Sequence, residues 1–171
     1  MKKYEFTGET KEIRLLFRTA TLHRIRATVA FGIVEVGDLG GWIEKEENLS
    51  HEGKAWVWGN AEVWGNAEVC GDAKVWGNAE VCGDAKVFSA SHVLVIGAIG
   101  SRNDFTTFYR DKDNEITVKC GCFLGKIDRF LEKVTQTHGD SKYALVYRAA
   151  VEVAKLQIDL SGEAPKDADE E

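Results

Sequence analysis

No run of about eighteen apolar residues occurs in the chain, so a helix of the length a bilayer requires is not expected from it. The opening residues, MKKYEFTGETKEI, carry two lysines but no apolar stretch behind them, so they do not read as a secretory signal, and a cytoplasmic location is the expectation. Cysteine is sparse. Cys70, Cys82, Cys120 and Cys122 do not make the dense framework of a small secreted domain. Cys120-Gly-Cys122 is tighter than the C-x-x-C spacing of metal and redox sites, and no second pair of ligands lies close in sequence, so no metal or cofactor is expected. The single proline, Pro165, sits in an acidic tail from Asp159 onward that carries −5 of the net charge of −6. That tail, 159–171, reads as disordered. The remaining body is close to neutral, which excludes a general electrostatic affinity for nucleic acid and gives no reason to expect a membrane partner.

What the chain has instead is a period. From Val57 to His92, six hexads follow one another without insertion: VWGNAE, VWGNAE, VCGDAK, VWGNAE, VCGDAK, VFSASH. Fixed-period self-similarity governs the reading of a fold before any local propensity does. Val holds the first position and Ala or Ser the fifth, while Gly followed by Asn or Asp marks a turn in the middle. Each hexad therefore reads as a short strand and a corner, and three hexads make one triangular coil of eighteen residues. Val then fills the interior of each face and Ala the narrow corner. The phase runs forward through Val93 and Ile99 and extends backward, more weakly, to Leu39, so the regular region spans residues 39–101. The second position holds Trp58, Trp64, Cys70, Trp76, Cys82 and Phe88, which this phase puts on outer faces. An eighteen-residue coil stacks Trp58 on Trp76, Trp64 on Cys82 and Cys70 on Phe88. Exposed apolar ladders of this size are uncommon on monomers, so these six residues are candidates for an oligomer interface.

The hexads resemble the hexapeptide-repeat, left-handed parallel β-helix family, whose motif sets an aliphatic residue four places before a small one. The large residues at the second position depart from the family pattern. The resemblance implies a mainly β solenoid, commonly trimeric; residues 1–38, rich in β-branched and aliphatic residues, read as N-terminal capping strands. Residues 102–158 follow as a β-hairpin and two helices. Phe105–Arg110 and Glu115–Cys120 flank the loop Asp111-Lys112-Asp113-Asn114. Ile127, Phe130, Leu131 and Val134 fall at helical spacing, the helix stops at His138-Gly139, and Asp140 or Ser141 caps the next.

GDLGGWIEKEENLS, the hexads and CGCFLGKIDRFLEKVTQTHGDSKYALVYRAAVEVAKL together resemble proteins of bacteriophages and prophages labelled hexapeptide-repeat or polymer-forming. A phage origin implies a non-enzymatic, homotrimeric binding protein in the host cytoplasm. It would act against host defence, by blocking a bacterial immune protein or by sequestering a small nucleotide-like signal. Lys119, Lys126, Arg129, His138, Lys142 and Arg148 are the candidate contacts for such a ligand or partner. Two alternatives compete. One is a structural, self-assembling scaffold. The other is an acyltransferase of the hexapeptide-repeat kind, with His92 as the histidine inside the repeat. A γ-type carbonic anhydrase needs three histidine ligands, and His51 and His92 are too few.

Overall fold

The structure, a computed structural model, describes residues 1–162. The chain begins with two long strands, β1 (Tyr4–Arg14) and β2 (Thr19–Ala27), followed by β3 (Leu39–Ile43). Six two-residue strands come next: β4 (Trp56–Val57), β5 (Glu62–Val63), β6 (Glu68–Val69), β7 (Lys74–Val75), β8 (Glu80–Val81) and β9 (Lys86–Val87). Strands β10 (Val93–Ile99), β11 (Asp104–Arg110), β12 (Ile116–Cys120) and β13 (Phe123–Lys126) lead into helices α1 (Ile127–His138) and α2 (Lys142–Gln157).

This architecture corrects the expected fold class. The chain is not a left-handed parallel β-helix but a mainly β protein with short strands in several small separate sheets and two helices. The sheets run in the orders β1-β2-β3-β5-β8, β10-β11-β12-β13, β4-β7 and β6-β9. Every strand longer than two residues pairs antiparallel with a neighbour, and the parallel pairs are two residues long. The physical reason lies in the hexad itself. A glycine in the left-handed region interrupts the extended backbone every six residues, with φ between +57° and +70° from Gly59 to Gly83. The turn that follows closes with the alanine N–H donating to the carbonyl three residues back, as from Ala61 to Trp58 at 3.0 Å. Long ladders form only where such corners are absent, at the two ends of the chain.

Within the hexads the parallel partners lie eighteen residues apart: Trp56 beside Lys74, Glu62 beside Glu80, Glu68 beside Lys86. The first-position valines and fifth-position alanines, Val57 to Val87 and Ala61 to Ala85, are buried. They join Tyr4, Ile25, Ile43, Leu49 and Trp56 in one apolar core. The β1–β2 hairpin covers the free edge of β3, whose other edge pairs with β5.

The C-terminal unit is larger than a hairpin and two helices. β10 and β13 flank the expected β11–β12 pair and make a four-stranded antiparallel sheet. Phe108, Ile116, Val118, Phe130, Val134, Tyr147 and Val151 form its core with the helices. β11 also locks this unit to the hexads: the Tyr109 hydroxyl donates to the Cys82 carbonyl at 2.9 Å, and Glu80 N–H donates to Thr107 Oγ1 at 3.0 Å. Gly139 ends α1 at φ +55°, and Ser141 takes the N-cap position of α2 without a side-chain cap. Arg110 donates to the carbonyls of Ser161 and Gly162, and Asp159 N–H to Ser91, so the start of the acidic tail is held in place. The rest of the tail read as disordered lies outside the described residues. Among the described residues no helix is long and apolar enough to cross a membrane.

Candidate functional site

The turns after β10 and β12, the second half of α1 and Tyr147 of α2 meet around a cleft of about 220 Å³. Phe123, Phe130 and Val134 give it an apolar floor. Phe130 is the packing centre: its ring lies 5.3 Å from that of Phe123 and 5.6 Å from that of Tyr147, the latter edge to face. The rim is cationic. Arg102 and Lys133 line it, with the His138 ring beside them, against one carboxylate, Asp104. Neither Arg102 nor Lys133 forms an ion pair among the described residues. His138 stacks on Tyr147 with centroids 5.7 Å apart, and Tyr143, 42% exposed, stands beside it at 5.9 Å.

Two thiols also border this space. The Thr106 hydroxyl donates to Cys120 Sγ at 3.4 Å, and Cys120 Sγ lies 4.0 Å from Tyr147 Oη. Burial, with Cys120 adjacent, pushes the Tyr147 phenol up to about 12, so it stays a neutral donor. Among the described residues no thiol–imidazole hydrogen bond borders the cleft. Among the described residues, no group of three or more His, Cys, Asp or Glu is placed to hold a metal ion.

Of the six residues expected to contact a ligand, only His138 lines the cleft. Lys119 donates to the Gly121 carbonyl, pairs with Glu80 at 3.0 Å and lies over the Trp64 ring. Arg148 reaches Thr135 Oγ1 at 3.2 Å and the Gly139 carbonyl at 3.0 Å, tying α2 to the end of α1. Arg129 and Lys142 are exposed on the helices. Lys126 is held by Asp111 at 2.5 Å, Glu115 at 3.0 Å and Asp113 at 3.1 Å. Arg102 and Lys133, the cations that do shape the cleft, escaped the sequence reading because no motif distinguishes them from ordinary surface charge.

The Lys126 cluster has a consequence for acid stability. Burial pushes the Asp111 carboxyl up, but hydrogen bonds from Lys126, Thr117 and the N–H groups of Glu115 and Asp113 outweigh it and hold the carboxyl below its ordinary 3.8. The unfolded chain therefore binds that proton more readily, so the contribution is complete above about pH 4 and lost as pH falls through the lowered value. Asp111→Asn is expected to cost about 1–3 kcal/mol at neutral pH and to flatten the acid limb of a urea-denaturation series.

The second-position residues are divided between surface and interior. Trp58 and Trp76 stack with centroids 4.8 Å apart and planes 6° apart, and Trp76 remains 45% exposed. Trp64 and Cys82 are buried under the N-terminal hairpin with Leu22, Ile13, Leu15 and Trp42. Burial pushes the Cys82 thiol up to about 11. Cys70 and Phe88 are half-buried. Much of the ladder named as an oligomer interface is thus covered by the chain itself, and Trp76 is the member left well exposed.

His92 is unsuited to acyl transfer. It is 2% exposed, with Nδ1 3.3 Å from the Phe88 nitrogen and Nε2 3.4 Å from Arg110 Nη1. A neutral imidazole accepts at one nitrogen, so one of these contacts at a time is a hydrogen bond. Burial, then the Arg110 charge, lowers its pKa, and neither nitrogen is open to a substrate.

No protein-family model matches the chain, and no curated protein matches it.

Proposed function

We propose that this is a non-enzymatic binding protein of bacteriophage type that docks on a host protein through the C-terminal cleft. The carrying observation is an apolar floor beneath unpaired cations. Its 220 Å³ is less than the roughly 300–1,000 Å³ of pockets that enclose a drug-sized molecule. A space of that size suits one apolar side chain of a partner, anchored on Phe123 and Phe130. Acidic neighbours of that side chain meet Arg102 and Lys133 at the rim, where complementary charge sets orientation and on-rate. Exposed Tyr143 extends the apolar surface beyond the cleft. A counter-defence role is the part of this reading that rests on the phage resemblance. Capture from a bacterial host lysate tests it: wild-type protein is expected to retain a partner that Arg102→Glu/Lys133→Glu loses at unchanged melting temperature.

A further inference from the structure

A second cavity lies between the loop after β2 and the β4–β7 pair. Its space is about 350 Å³, within the range of small-molecule sites. Phe31 and Val34 close the loop through two backbone hydrogen bonds of 3.0 and 2.9 Å, which sets Phe31 edge to face against Trp56 at 5.4 Å. Trp58 adds a further indole, backed by its stack on Trp76. These rings form one wall and floor. Lys54, Lys74 and Asp72 also line the cavity, and Lys74 is the register partner of Trp56.

The polar groups are unbalanced in one direction. Neither lysine has an ion-pair partner among the described residues, and one carboxylate faces two ammonium groups. The indole Nε1 atoms of Trp56 and Trp58 are buried and have no acceptor. The cavity therefore presents aromatic side chains and two ammonium groups without ion-pair partners against one carboxylate. A flat heteroaromatic ring offers the complementary face and edge, and an attached anionic group meets the lysines. A saturated or cationic ligand satisfies neither.

From this we infer a second binding site, separate from the C-terminal cleft, that takes a planar aromatic anion of the nucleoside monophosphate class. Stacking on Trp58 and Phe31 holds the ring, and Lys54 and Lys74 hold the phosphate.

Isothermal titration with AMP, adenosine and inorganic phosphate on the full chain tests this. AMP is expected to bind saturably and at least about tenfold more tightly than adenosine or phosphate alone, with affinity falling as salt rises. Lys54→Glu/Lys74→Glu, on the rim and outside the core, should weaken AMP about tenfold or more while leaving adenosine within twofold. Trp58→Ala should weaken both, with a melting curve to show that the variant folds. Absence of saturable binding by AMP, GMP, CMP and UMP at millimolar concentration overturns the site. AMP binding that the double lysine variant does not change overturns the assigned role of the lysines.

Discussion

Trp56→Ala is expected to destabilise the protein by about 3–5 kcal/mol, the cost of removing a large aromatic side chain from a packed interior. Trp56 is 1% exposed and touches three rings at once: Tyr4 at 6.2 Å, Phe31 at 5.4 Å and Trp58 at 6.5 Å, all edge to face. It is also clamped from the N-terminal side, because a Cβ added at Gly40 would lie 2.7 Å from its ring. Removing it opens a cavity that rigid β-turns on both sides cannot close. One term acts in the other direction. The indole N–H has no acceptor, so its deletion relieves about 1–3 kcal/mol and moves the net effect toward the lower end of the range. For a chain of this size the melting temperature should fall by roughly 6–20 °C. Trp56→Phe keeps most of the packing without the orphan donor and should recover much of the loss. A urea-denaturation series reads both, and a loss below about 1 kcal/mol for the alanine variant would show that Trp56 does not organise this end of the core.

The second large effect is expected at Gly100, in the turn after β10. Its φ is +75°, and a Cβ there would lie 1.9 Å from Tyr147 Oη and 2.3 Å from Cζ. An alanine meets two penalties: about 1–2 kcal/mol for the left-handed backbone and about 1–3 kcal/mol for displacing a ring that is packed on Phe130 and His138. Gly77 separates the two. Its φ is +63°, but nothing lies within 4 Å of its added Cβ, so Gly77→Ala should show the backbone cost alone. Gly100→Ala is therefore expected to lose about 2–5 kcal/mol, clearly more than Gly77→Ala, and to alter the near-ultraviolet signal of Tyr147. Equal losses at the two positions would mean that Tyr147 yields to the methyl group and that the cleft wall is soft.

These two positions also show how far the sequence could be read. The period placed Val and Ala inside and glycine at the corners, because each of those residue types answers to one local requirement. The eighteen-residue offset followed from the same arithmetic, and so did the Trp58–Trp76 stack. The fold class did not follow. The hexads form two-residue strands in separate sheets, and the long pairing is antiparallel at the chain ends, where no period announces it. Strand β13 was hidden because Phe123–Lys126 is short and contains Gly125, a poor strand residue by propensity. The β11–β12 hairpin and both helices were legible from alternation and from 3.6-residue spacing. The site was the least legible. Trp56, at the sixth position of its hexad, lay outside the positions the period assigned, and Tyr4, Phe31 and Gly40 close around it. Arg102 and Lys133 are thirty-one residues apart in numbering, and a turn and a helix bring them to one rim.

The C-terminal cleft, with its apolar floor and unpaired cations, is the proposed docking site for a partner. The measurement that tests it most directly is quantitative mass spectrometry of host-lysate proteins captured on the wild-type chain and on Arg102→Glu/Lys133→Glu, at matched melting temperature. A protein is expected to be enriched on the wild-type chain and reduced at least about tenfold on the variant, with the loss restored by Arg102→Lys/Lys133→Arg. Equal capture by the wild-type chain and the charge-reversed variant would contradict it.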